Sequence, residues 1–107
     1  MGLVRGEVYL VRLDPVLGHE VGKTRPCLVV SPDESNAIAG TVTVAPLSTQ
    51  RRPYPARVDI EFQGRVGQVQ LDQIRSISPL RLVSRVGDLE PSDLPRTLNR
   101  LCEIFAP

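Results

Sequence analysis

Apolar residues recur at every second position through most of the chain, and at every third or fourth only near its end. Gly6–Leu13 is rich in β-branched and aromatic residues and predicts a first strand. Asp14–Thr24 follows as a loop punctuated by Pro and Gly. Arg25-Pro26 then leads into Cys27–Ser31, apolar on both faces. That stretch predicts a buried central strand, with Pro26 as its first residue, where a missing N–H does least harm. Asp33–Gly40 is polar and predicts a turn or short helix, Thr41–Ala45 alternates as a third strand, and Pro46–Pro55 reads as a long loop.

Arg57–Phe62 alternates cleanly, with Val58, Ile60 and Phe62 inward and the charges outward; Gly67–Leu71 repeats the pattern. At Asp72-Gln73 the parity slips, since Val69 and Leu71 are apolar on odd positions and Ile74 on an even one. A turn, a bulge beside a functional site or a plain barrel corner accounts for the slip. Leu80–Val86 predicts one more strand. Leu94, Leu98, Leu101, Cys102 and Phe105 then fall at helical spacing, with Ser92 available as N-cap and Pro95 in the first turn. Five or six short strands and one helix predict a mainly β fold: a small antiparallel barrel closed by a terminal helix, as a single domain over residues 1–107.

Net charge is only +1, so the molecule as a whole is no basic glove for nucleic acid. Twelve of the thirteen basic residues are arginine and Lys23 is the only lysine. Arginine's planar fork suits phosphate and base stacking, but GC-rich coding accounts for most of these arginines, so each is weighed by position. Cys27 sits in an apolar run and Cys102 on an apolar helix face, which predicts buried, inert thiols and no disulfide. One histidine, His19, and two scattered cysteines give no metal-ligand spacing, and no cofactor is expected. The absence of Trp argues against a base-stacking platform. No apolar run reaches the roughly 20 residues of a membrane helix, and the start lacks the apolar stretch of a secretory signal, so a cytoplasmic protein is expected.

Three places hold polar residues that strand packing does not explain. These are Gly18-His19-Glu20 with Lys23-Thr24-Arg25, then Ser48-Thr49-Gln50-Arg51-Arg52, then Gln70, Asp72, Gln73 and Arg75. Arg25 and Ser48 border neighbouring predicted strands, which brings them to one rim, where loops on a rigid barrel carry sites.

Gly6-Glu7-Val8-Tyr9, Leu13-Asp14-Pro15, Gly18-His19-Glu20 and Thr24–Ser31 resemble the opening of the MazF/PemK toxins. Pro46-Leu47-Ser48-Thr49-Gln50 resembles their second loop, and Gly67–Ile77 their Asp-Gln-Ile-Arg motif, in the same order across nearly the whole chain. The resemblance implies an SH3-like, CcdB/Kid-type barrel, a homodimer with an RNA groove across its interface, and cleavage of single-stranded mRNA at short motifs. It also implies neutralisation by a cognate, MazE-like antitoxin. Metal-free RNA cleavage uses the adjacent 2′-OH as nucleophile, with a base, an acid and cations around the phosphorane.

Under that resemblance Arg25 matches the family's catalytic arginine; the alternative is a brace against Glu20. Ser48 stands where threonine is usual and keeps the hydroxyl; the alternative is a turn cap. His19 and Asp72 match the acid and base of the Kid/PemK branch, although His19 also reads as a solvent-facing residue and Asp72 as a cap at the parity slip. That branch carries an arginine where this chain has Gln70. Glu20 matches an acid of the MazF branch, as base or loop brace. Lys23, Thr49, Gln50, Arg51, Arg52, Gln70, Gln73 and Arg75 are the expected RNA contacts. A gyrase poison on the same fold, which would bind and not catalyse, is disfavoured by the lack of Trp near the C-terminus; an inactive SH3-like binding module is the other rival.

Overall fold

The computed structural model describes residues 2–107; Met1, first residue of the expected domain and of the N-terminus discussed above, lies outside the described residues. Seven strands form one antiparallel sheet: β1 (Glu7–Arg12), β2 (Thr24–Val29), β3 (Val42–Ser48), β4 (Arg57–Phe62), β5 (Arg65–Gln70), β6 (Arg75–Ile77) and β7 (Leu82–Asp88). Helix α1 (Asp33–Ile38) follows β2, and α2 (Asp93–Phe105) ends the chain. Short 3₁₀ turns occupy Leu71–Gln73 and Pro79–Arg81. The strand order is β4-β5-β3-β2-β1-β7, with β6 also paired to β3. Its two ends approach each other, as Gln63 Nε2 after β4 donates to the Val86 carbonyl of β7 at 2.7 Å.

Residues alternating on the strands' inner face build one core of Val8, Leu28, Ala45, Leu47, Val58, Ile60, Val69 and Leu71. Leu94, Leu98, Leu101 and Ile104 of α2 lie over it. A second cluster on the other side of the sheet joins Val11, Leu13, Cys27, Val29, Val42, Val44 and Ile77. Strand β1 feeds both, through Val8 and Val11, because its register with β7 shifts twice between Val8 and Val11. Bulges of this kind turn a strand about its axis and break simple alternation. No helix among the described residues is long and apolar enough to cross a membrane.

The mainly β fold with a terminal helix is as the sequence predicts, and the predicted parity slip is the 3₁₀ turn at Leu71–Gln73. Several boundaries differ for physical reasons. There are seven strands among the described residues, not five or six, because the short β6 follows the 3₁₀ turn. Pro26 is the third residue of β2, not the first. Strand β3 joins β2 only from Cys27 onward, so Pro26 has a ladder neighbour, Leu10, on one side alone and its missing N–H is tolerated. Likewise β3 runs through Pro46 to Ser48, where a loop is predicted. Pro46 stands where that edge of β3 changes partner, between the last β6 pair at Val44 and the first β5 pair at Leu47.

The last predicted strand, Leu80–Val86, starts later and ends later, at Leu82 and Asp88, because Pro79–Arg81 winds into a turn. Ser92 precedes α2 without a side-chain cap bond. Arg57, predicted to point outward, has its side chain only 9% exposed. Cys102 is exposed, because the core stripe of α2 runs through Leu94, Thr97, Leu98, Leu101 and Ile104 and leaves it to one side. Phe105, at the helix end, is likewise exposed. Cys27 is buried as predicted, and burial pushes its thiol up to about 12. Native protein should therefore titrate one rapidly reacting thiol at neutral pH with a disulfide reagent, and two after unfolding; two fast native thiols would contradict the burial of Cys27.

Candidate active site

A polar cavity of about 520 Å³ opens between the start of β2, the end of β3 and the loop after β1. His19, Glu20, Arg25, Ser48, Thr49, Gln50 and Gln70 all line it, so seven of the predicted site residues converge. Each is delivered by a definite element. Arg25 is the second residue of β2 and lies opposite Val11 of β1. Ser48 ends β3 opposite Gln68, and Gln70 ends β5.

The charges around Arg25 are arranged to leave it free. Its Nε donates to the Gly22 carbonyl at a long 3.4 Å, and it has no ion pair among the described residues. Glu20 does not brace it: Oε1 of Glu20 accepts from the Leu17 amide at 2.6 Å, closing a turn. Ser48 Oγ accepts from the Gln50 amide at 3.1 Å, which leaves the hydroxyl hydrogen able to donate. His19 is exposed at the loop tip. Gln70, only 8% exposed, makes no side-chain hydrogen bond among the described residues, and its amide is reached from the cavity.

The remaining predicted residues support or flank this cavity. Gln73 Oε1 accepts from the Val21 amide at 3.2 Å, and Arg75 Nη1 donates to the Leu13 carbonyl at 3.0 Å, so both fasten the first loop. Lys23 has φ of 63°; its amide donates to Asp14 Oδ1 and its carbonyl accepts from Leu13, which closes the loop base. Its neighbour Gly22 leaves no room for a side chain, since a Cβ there would stand 2.5 Å from Asp14 Oδ1. Lys23 itself lies outside the cavity lining.

Asp72 lines an adjoining hollow with Glu20, Gln73 and Arg75, and is held by Arg57 through two hydrogen bonds of 2.6 and 3.1 Å. Sequence reasoning missed Arg57, because an arginine opening an alternating strand reads as solvent-facing. Its signal was the pairing of its strand with the segment that ends in Gln70, two residues before Asp72. Pro26, Val21 and Leu47 also line the cavity or its neighbour and carried no sequence signal of their own.

Arg51 and Arg52 face a separate, larger groove of about 680 Å³ between β4 and α2. There Arg51 pairs with Asp59 at 3.1 Å, Arg96 with Asp93 at 2.8 Å and Arg100 with Glu103 at 3.7 Å. Hydrogen bonds from Gln68 and then Arg51 hold the Asp59 carboxyl below the usual range. Gln68 also clasps Arg52, accepting from its amide at 2.9 Å and donating to its carbonyl at 3.0 Å. Four of the larger groove's five arginines are thus paired with carboxylates, Arg52 being the exception, whereas the smaller cavity presents Arg25 with no ion pair among the described residues. Among the described residues, no three His, Cys, Asp or Glu side chains gather closely enough to hold a metal ion.

Asp72→Asn would leave the largely buried Arg57 without its carboxylate and should lower stability by about 2 kcal/mol. Urea unfolding measures this; an unchanged midpoint would show that the pair contributes nothing.

Known proteins share both the sequence and the fold. The chain is 37% identical over 100 residues to the endoribonuclease MazF9 of Mycobacterium tuberculosis (strain ATCC 25618 / H37Rv), covering 84% of this chain and 85% of that protein. It is 35% identical over 92 residues to the endoribonuclease EndoA of Bacillus subtilis (strain 168), covering 80% and 79%. Crystalline MazF from Deinococcus radiodurans superposes with a TM-score of 0.83 at 25% identity, over 97% of this chain and 96% of that one. A second form, of the MazE–MazF pair from the same organism, gives 0.77 at 25% identity, again over 97% and 96%. With residues 4–105 matching the family model for the PemK-like, MazF-like toxin of type II toxin-antitoxin systems, the chain belongs to that family.

Proposed function

We propose that this chain is the endoribonuclease toxin of a type II toxin–antitoxin pair, and that it cuts single-stranded RNA by 2′-OH attack without a metal. The observation that carries the reading is Arg25, a guanidinium with no carboxylate partner among the described residues, facing a polar cavity beside the Ser48 hydroxyl.

The scissile phosphate sits against Arg25, whose fork donates charge-assisted hydrogen bonds to the non-bridging oxygens as charge builds on the phosphorane. Arginine holds its proton too tightly to act as the acid. Ser48 donates its free hydroxyl hydrogen to the same group. The 2′-oxygen bonds to phosphorus and the P–O5′ bond breaks, leaving a 2′,3′-cyclic phosphate and a 5′-OH. His19 and Glu20, lining the same cavity, carry the proton taken from the 2′-OH and the proton given to O5′. Asp72, committed to Arg57, acts as a positioning residue at the cavity's edge. Thr49 and Gln50 hold flanking RNA. Gln73, Arg75 and Lys23 keep the loop in place.

The partner is a MazE-like antitoxin, a reading supported by the MazE–MazF pair of the same fold from Deinococcus radiodurans. The active form is a homodimer with RNA lying across its interface, a reading supported by family membership.

A digest of long single-stranded RNA in EDTA should give reproducible cuts ending in 5′-OH. Arg25→Ala should slow cutting by about 100-fold or more, and Arg25→Lys should fall between, keeping the charge and losing the fork. A metal requirement would overturn the 2′-OH route, and wild-type rates from Arg25→Ala would remove Arg25 from the site.

A further inference from the structure

Two glutamines lie two residues apart on β5, on the same face of the strand, and both are buried: Gln68 at 5% and Gln70 at 8% exposure. Their surroundings differ completely. Gln68 satisfies its amide in full, with its oxygen on the Arg52 amide and its nitrogen shared between the Arg52 carbonyl and Asp59 at 3.0 and 2.9 Å. Among the described residues Gln70 pairs neither its carbonyl oxygen nor its amino group, and it lines the cavity that holds Arg25 and Ser48. The side chain is thus largely enclosed while its amide still meets solvent in the cavity, free to exchange that solvent for a ligand group at no cost in protein hydrogen bonds.

The chemistry of the vacant pair selects among the parts of an RNA strand. A phosphodiester offers acceptors alone; it could use the amino group, but it would face the Gln70 carbonyl oxygen with an anion. A nucleobase edge presents a donor and an acceptor side by side, which an amide matches with two parallel bonds. The scissile phosphate is already provided for by Arg25 and Ser48 in the reading above. The mount is rigid as well. Gln70 pairs with Arg57 in the β4–β5 ladder, and the next residue's amide, of Leu71, donates to the Ala56 carbonyl at 2.9 Å. A side chain held this way can discriminate among bases.

We infer that Gln70 is a specificity-determining residue, whose side-chain amide pairs with the donor–acceptor edge of one nucleobase next to the cut. The inference rests on the ribonuclease reading and deepens it.

The test is a randomised single-stranded RNA library digested by wild type, Gln70→Leu and Gln70→Glu, with cut sites mapped by sequencing of 5′-OH ends. Gln70→Leu should flatten preference at one position flanking the cut by about tenfold or more, with the other positions unchanged. Gln70→Glu, an acceptor on both oxygens, should shift that same position toward guanine, whose N1–H and N2–H₂ donate in parallel. Thermal unfolding of Gln70→Leu at or above the wild-type midpoint separates loss of reading from loss of fold, since the substitution removes no hydrogen bond within the protein. Unchanged motifs in both variants would overturn the inference. So would Gln70→Glu slowing every sequence alike, which would assign Gln70 to the phosphate. Wild type that cuts nothing would instead strike at the ribonuclease reading itself.

Discussion

Strand β3 is the constraint on which the rest of the structure depends. It pairs with β2 along one edge and with β6 and then β5 along the other, and from Val44 to Leu47 it is buried throughout. The change of partner at Pro46 bends the sheet round on itself and splits the interior into two apolar clusters. It also decides where the chain's polar residues emerge. Ser48 leaves the end of β3 close to Arg25, the second residue of β2, and to Gln70 at the end of β5. The site is therefore a by-product of sheet geometry. Three strand ends meet there, and the first loop, tied down by Gln73 and Arg75, forms the fourth wall.

Within that frame, the pairing of charges matters more than their number. The groove beside α2 holds more arginines than the Arg25 cavity, yet carboxylates answer most of them. Exposed pairs of this kind add little to stability, but they cancel the field that an anionic strand would feel. Glu20, the acid that lines the same cavity as Arg25, is occupied by its own loop's backbone, and so is Asp14. The same contrast recurs among the neutral groups, where Gln68 is consumed by structure and Gln70 is left to the cavity.

The parts of this arrangement that were legible in the sequence are those with a local period. Val58 and Ile60 declared β4, the leucines of α2 declared the helix, and the slip of parity at Asp72 declared a turn. The gathering of Arg25 and Ser48 followed from their places at the ends of adjacent strands. What stayed hidden depends on partners distant in sequence. Arg57 is sheltered because it meets Asp72 across the β4–β5 pairing, and no local pattern contains that. Pro26 and Pro46 looked like strand boundaries, but proline is excluded only where both edges are paired, and strand neighbours are not visible in one stretch of chain. Cys102 was placed on the core face by hydrophobicity, although the helix stripe that meets the sheet passes beside it. Arg51 and Arg52 were expected along the RNA path from their place in the second loop, and that loop turns them toward a different groove from the one that Arg25 lines.

On this reading the small cavity around Arg25, and not the larger arginine-lined groove, receives the nucleic acid strand. A nuclear magnetic resonance titration with a short single-stranded DNA, which lacks the 2′-OH and is not cut by this route, tests it most directly. Shifts should concentrate at Arg25, Ser48, Thr49 and Gln70, with Arg96 and Arg100 little changed. Shifts centred on Arg96, Arg100 and Tyr54, with Arg25 and Ser48 unmoved, would contradict it.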